Sequence, residues 1–218
     1  MRQEVQHFAE YLLEGNQLAA YEIVMSISEQ SDICIYEQVL TEAMRYVGML
    51  WENNRISVAD EHLATSVCDF VLSQYAFYRR KAERKERRPK VMLLCVEGEQ
   101  HYLGIKMVHS LFEEYGWDAR FLGANLPMEA ALSQASQWKP NVVCLSFTLI
   151  NRLQDITNYA RAFEGLEHKT TVMIGGRLVK HYDLRRYCSD RTILVPGLGD
   201  FRQWLMQRKD HSSIYDVI

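Results

Sequence analysis

Apolar residues recur at helical spacing through the N-terminal third of the chain. Val5, Phe8, Ala9, Leu12 and Leu13 fall on one face of a first helix, which Gly15-Asn16 ends. Residues 18–28 predict a second helix. Residues 33–51 predict a third, with Val39, Leu40, Ala43, Val47 and Leu50 turned inward and Asn53-Asn54 breaking it. Ser57-x-x-Asp60 has the form of a capping box, opening a fourth helix through Leu63, Val67, Phe70, Val71 and Gln74 to near Arg80. Four helices with short connections predict a four-helix bundle over residues 1–84.

The pattern then changes. Val91-Met92-Leu93-Leu94-Cys95-Val96 is an unbroken apolar run, as expected of a strand buried on both faces. A helix over 102–115 and a strand over 118–122 follow, and the unit repeats with strands over 142–147, 171–174 and 193–195. Helices are expected from Met128, from Leu153, around Val179 and from Leu198. Five strand–helix units predict an α/β domain over 91–218, a flavodoxin-like, doubly wound parallel sheet of Rossmann-like form.

Charge marks the boundary between the two parts. Eight basic residues against Glu83 and Glu86 give residues 79–90 a charge of +6, leaving −9 for the rest of a chain whose net is −3. Pro89 closes the run, and a linker over 85–90 is the expectation. A solvated linker explains the charge as well as phosphate contacts do, and no aromatic interleaving supports base reading, so direct DNA binding is not expected. The five cysteines (Cys34, Cys68, Cys95, Cys144, Cys188) form no CxxC pair, and several lie in apolar runs. They read as reduced small hydrophobes. With no apolar run of membrane-spanning length and no signal-like N-terminus, a cytoplasmic protein is expected, with no membrane partner.

In such sheets ligands bind beyond the carboxyl ends of the strands. Three segments lie there: Glu99-Gln100-His101-Tyr102-Leu103-Gly104, Ser146-Phe147-Thr148 and Gly175-Gly176. Each alone has a bland reading, as a solvated histidine, a helix-capping hydroxyl or a turn. As an ordered set, Glu-x-His-x-x-Gly, Ser-x-Thr and Gly-Gly resemble the signature of the cobalamin-binding domain family. Most of that family opens with Asp-x-His-x-x-Gly. Glu99 in place of the aspartate is similar to the CarH/LitR class of light-responsive transcriptional regulators.

The resemblance implies that His101 is the metal ligand, replacing the cofactor's own dimethylbenzimidazole on the lower face of cobalt, with Glu99 fixing its tautomer. It implies that Gly104 leaves room for the displaced nucleotide tail. Ser146 and Thr148 would offer hydroxyls to that tail, and Gly175 and Gly176 would let backbone approach it. In the helical part, Trp51 and Glu61-His62, separated by nine residues, resemble the upper-face motif of the same class. Trp51, Glu61, His62 and, one turn earlier, Val58 would then line the pocket of the upper axial group. The bland reading is a tryptophan closing the bundle end and a glutamate at a helix start.

Glu52 stands where the light-responsive members carry a second histidine, which weighs against a bis-histidine photoproduct. Among the functions the resemblance implies, a cobalamin-dependent sensor is the expectation. It would favour adenosylcobalamin and act through a transcription factor or other regulatory protein, and a homo-oligomer is compatible with it. The alternative is a corrinoid carrier subunit of a methyltransferase system, for which methylcobalamin is the expected form. An adenosylcobalamin-dependent mutase subunit is a third reading, less suited to a chain with this bundle. No nucleophile constellation, P-loop or zinc pattern predicts catalysis by the chain's own residues.

Overall fold

In a computed structural model the chain is described over residues 2–80, 88–148 and 153–209. Its contacts divide it into two units, Met1–Lys81 and Ala82–Ile218. Most of the basic run and residues 85–87 of the expected linker lie outside the described residues.

In the first unit, α1 (Gln3–Leu13) buries Val5, Phe8, Ala9 and Leu12, the face read from the sequence. Gly15 turns the chain at φ +73°, and the Asn16 side chain accepts from the Ala19 N–H at 3.2 Å to start α2 (Gln17–Ser26). Ser31 caps the next helix in the same way. That helix runs as α3 (Asp32–Ile35), a π-helical stretch (Tyr36–Thr41) and α4 (Glu42–Glu52). Spacing alone predicted one regular rod. The Thr41 hydroxyl donates to the Tyr36 carbonyl, five residues back, at 2.7 Å, which fits the widened turn there.

Helix α5 (Val58–Arg79) opens with the expected capping box: the Asp60 N–H donates to Ser57 Oγ, and the Ser57 N–H donates to Asp60 Oδ2. Near its far end Tyr75 Oη donates to the buried Asp32 carboxylate at 2.5 Å, and Arg79 Nε lies 2.8 Å from the same oxygen. A charge enclosed at 5% exposure is tolerated because it is paired.

The second unit is a five-stranded sheet in the order β2-β1-β3-β4-β5, parallel throughout. The strands are β1 (Lys90–Cys95), β2 (Asp118–Phe121), β3 (Val142–Ser146), β4 (Thr171–Gly175) and β5 (Ile193–Val195). Every residue of β3 is buried, as is β1 after Lys90, which explains their uninterrupted apolar sequences. The short edge strand β2 alternates instead, with Ala119 and Phe121 the better-covered positions.

Helices α7 (Met128–Trp138) and α8 (Leu153–Glu164) pack on one face. Their Ala131, Ala135, Ile156 and Phe163 meet Met92, Leu94, Val143, Leu145 and Ile174. On the other face α6 (Leu103–Glu114) meets α10 (Leu198–Lys209), with Phe112 and Phe201 edge-to-face at 4.8 Å. The helix expected around Val179 is the short α9 (Arg177–His181), which gives way to a 3-10 turn at Arg185–Tyr187. Among the described residues no helix is long and apolar enough to cross a membrane.

Candidate functional site

The strand order reverses at β1, which lies between β2 and β3, and the segments following β1 and β3 converge there. Val96 bridges to Leu126, and Gly98 turns the chain at φ +80°, a conformation suited to glycine. The turn carries the Glu99 side chain to 0% exposure.

Among the described residues, four donors meet that carboxylate. His101 supplies its backbone N–H at 2.9 Å and its ring Nδ1 at 2.5 Å, both to Oε1. Thr148 supplies its N–H at 2.6 Å and its hydroxyl at 2.9 Å, both to Oε2. Burial alone would raise the Glu99 pKa from the ordinary 4.5. The bonds from His101, side chain then backbone, and from Thr148, backbone then side chain, together outweigh it and hold the group down to about 2. In the neutral imidazole, an ionised Glu99 places the proton on Nδ1 and leaves the lone pair on Nε2. The His101 side chain is 55% exposed, so an oriented imidazole sits at the surface on an enclosed carboxylate.

Nearby, burial first and the Glu99 charge second push the Cys95 thiol up to about 12. It stays protonated and points at the His101 carbonyl at 3.8 Å, so it is no competing thiolate.

The sequence-derived residues fall into two groups, one in each unit. His101, Glu99 and Thr148 are brought together. Thr148 gives its hydroxyl and N–H to Glu99, and the hydroxyl also lies 2.9 Å from His101 Nδ1. Ser146 ends β3 in register with Cys95 and Gly175. Gly104 lies in the first turn of α6, and a Cβ added there would meet nothing within 4 Å. A Cβ on Gly175 would make an ordinary 3.8 Å contact with Val195 O, but one on Gly176, at φ +123°, would lie 2.3 Å from Phe147 O. Gly176 is thus required by the approach of the β3 and β4 ends to each other. In the helical unit, Trp51 is half-exposed on the last turn of α4 and Val58 is exposed at the start of α5. Glu61 accepts from the Thr65 hydroxyl at 2.9 Å, and His62 is exposed.

Sequence reading passed over two further residues. Asn125 accepts from the Gly98 N–H at 2.7 Å through its side chain and donates its own N–H to Glu99 O at 2.9 Å. Tyr159 accepts from the Glu97 N–H at 3.2 Å and donates to Leu126 O at 2.6 Å. Asn directly after Gly123-Ala124 is a turn signal that could have drawn attention to it, and Asn125 indeed has φ +54°. Nothing local marks Tyr159.

Among the described residues no three His, Cys, Asp or Glu side chains gather to hold a bare metal ion. A single oriented imidazole suits a metal whose macrocycle brings its other ligands. The open space over Gly104 fits such a group with a trailing tail.

Comparison with known proteins agrees with this chemistry. Residues 89–193 match one family profile described as B12 binding domain, and residues 5–75 match a second of the same description. Dimethylamine corrinoid protein 1 of Methanosarcina mazei is 22% identical over 161 residues, 73% of this chain and 74% of that one. The HTH-type transcriptional repressor CarA of Myxococcus xanthus is 32% identical over 145 residues, 66% of this chain but 42% of the repressor. Among solved structures, the monomethylamine corrinoid protein of Methanosarcina barkeri has the same fold, with a TM-score of 0.72 at 16% identity over 94% of this chain and 99% of that one. With the parallel sheet, the oriented histidine and both profiles in agreement, the chain belongs to the B12 binding domain family, a helical unit followed by a Rossmann-like domain, and is a cobalamin-binding protein.

Proposed function

We propose that this protein is a corrinoid carrier, holding cobalamin by His101 and presenting a methyl-bearing upper face to a methyltransferase partner. The observation that carries this reading is the oriented His101 on a chain whose span is shared with dimethylamine corrinoid proteins over nearly three quarters of both lengths. The sensor expected from Glu99 and the Trp51 motif has narrower support, in the 32% identity to a repressor of which 42% is matched. It stands as the second reading.

The bound corrinoid supplies cobalt–carbon chemistry. The chain's residues do the rest. Glu99 keeps the imidazole proton on Nδ1, and Thr148 helps keep Glu99 ionised. Gly104, Ser146 and Gly175 border the space for the tail. Methylcobalamin or its demethylated form is the working cofactor.

Apo-protein mixed in the dark with methyl-, adenosyl- and hydroxocobalamin separates the readings. A carrier takes up methylcobalamin at least as tightly as adenosylcobalamin, and illumination leaves its oligomeric state unchanged by light scattering. Adenosyl preference of roughly tenfold or more, a difference of about 1.4 kcal/mol, with a light-driven change of assembly, would replace the carrier by the sensor.

A further inference from the structure

We infer that Tyr159 and Asn125 are positioning residues for the His101 imidazole, an inference that rests on His101 as the lower ligand of the corrinoid. Both act through the loop that carries it. Three consecutive residues of that loop are tied to groups outside it: Glu97 through its N–H to Tyr159 Oη, Gly98 through its N–H to Asn125 Oδ1, and Glu99 through its carbonyl to the Asn125 N–H. The two ties are themselves joined, because the Tyr159 hydroxyl donates to the carbonyl of Leu126, the residue after Asn125.

The arrangement fixes the loop from two directions. Asn125 comes from the segment between β2 and α7, and Tyr159 from α8, which follows β3. Tyr159 is 4% exposed, so its hydroxyl bonds form away from competing water. A loop free at Glu97 to Glu99 would sample many backbone states, and each displaces the imidazole from a fixed metal position. Ligating groups need placement within about half an ångström. The bonds to Glu99 set which nitrogen faces the metal, and the ties at Tyr159 and Asn125 set where that nitrogen is.

Full-length protein loaded with hydroxocobalamin and reduced to cob(II)alamin tests this. With 15N-histidine in the protein, the superhyperfine splitting in its electron paramagnetic resonance reports the ratio of His-on to His-off forms, because a 15N ligand gives doublets where the cofactor's own dimethylbenzimidazole gives triplets. Tyr159→Phe keeps the packed ring and removes both bonds. Asn125→Gly keeps the left-handed backbone and removes the acceptor, while Asn125→Asp retains an acceptor. Tyr159→Phe and Asn125→Gly are expected to take up cofactor at wild-type stoichiometry, with the His-on to His-off ratio lowered roughly fivefold, the net effect of about one hydrogen bond. Asn125→Asp is expected to restore most of it.

His101→Ala sets the His-off spectrum. If that control is His-off while Tyr159→Phe and Asn125→Gly match wild type, the positioning role is wrong and the ligand assignment stands. If His101→Ala itself matches wild type, the ligand assignment fails. Should Tyr159→Phe not fold, the Asn125 pair decides alone: a lowered ratio restored by aspartate upholds the inference, and an unchanged or unrestored ratio overturns it.

Discussion

Glu99 is wholly enclosed and still ionised because four donors replace the water it lost. Its folded pKa of about 2 lies below the ordinary 4.5, so it contributes stability that is present above 4.5 and is lost as pH falls toward 2. The contribution is on the order of 3 kcal/mol. Glu99→Gln should flatten this acid limb when urea midpoints of the apo-protein are compared across that pH window. An equally steep limb in the variant would place the acid sensitivity elsewhere. Gly104 offers the opposite test, since its Cβ position is open. Gly104→Ala should leave apo stability unchanged or raise it by roughly 0.5 kcal/mol while weakening cobalamin uptake in a spectral titration. A variant that binds as wild type would remove the tail from that space.

At the scale of elements, the start of α5 depends on a local device. Ser57→Ala removes the capping box and should destabilise the helical unit by about 1 kcal/mol, read as a lower thermal midpoint by circular dichroism. Gly176→Ala should have a larger effect. It places a methyl group 2.3 Å from a backbone oxygen at φ +123°, with no flexible side chain to give way. Loss of more than about 2 kcal/mol in urea unfolding is expected, and a smaller loss would show that β3 and β4 can separate at little cost. These elements differ in how far they could be read in advance. Ser57-x-x-Asp60 and the apolar runs of β1 and β3 are local signals, and each forms as expected. The π-helical turn at Tyr36–Thr41 was not legible, because a threonine hydroxyl bonding five residues back leaves the apolar spacing unchanged. The bonds from Thr148 to Glu99, 49 residues away, were not legible, because only the pairing of β1 with β3 brings the two together. Tyr159 was missed for the same reason.

For the molecule as a whole, cobalamin binding was legible, because histidine, hydroxyl and glycine pair recur in order at the ends of strands whose sequence already implied a parallel sheet. What the cofactor is used for was less so. Glu99 and the Trp51 motif pointed to a regulator, whereas the span shared with dimethylamine corrinoid proteins supports a carrier better. That choice depends on the upper side of the cofactor, where sequence spacing gives residue types but not what they enclose. If the helical unit serves that side, Trp51→Ala should weaken adenosylcobalamin more than hydroxocobalamin in parallel dark titrations. Equal losses would mean that Trp51 closes the bundle end and does no more.

Among the described residues, the groups bonded to the Glu99 side chain come from residues 101–148, and both ties on its loop come from residues 125–159, within a single folded unit. If His101 takes the cobalt, the grip is made within that one unit. A descendant could exchange its helical half wholesale, acquiring a new upper guest or a new client, without retuning the histidine, and one chain design could serve metabolism in one lineage and gene control in another.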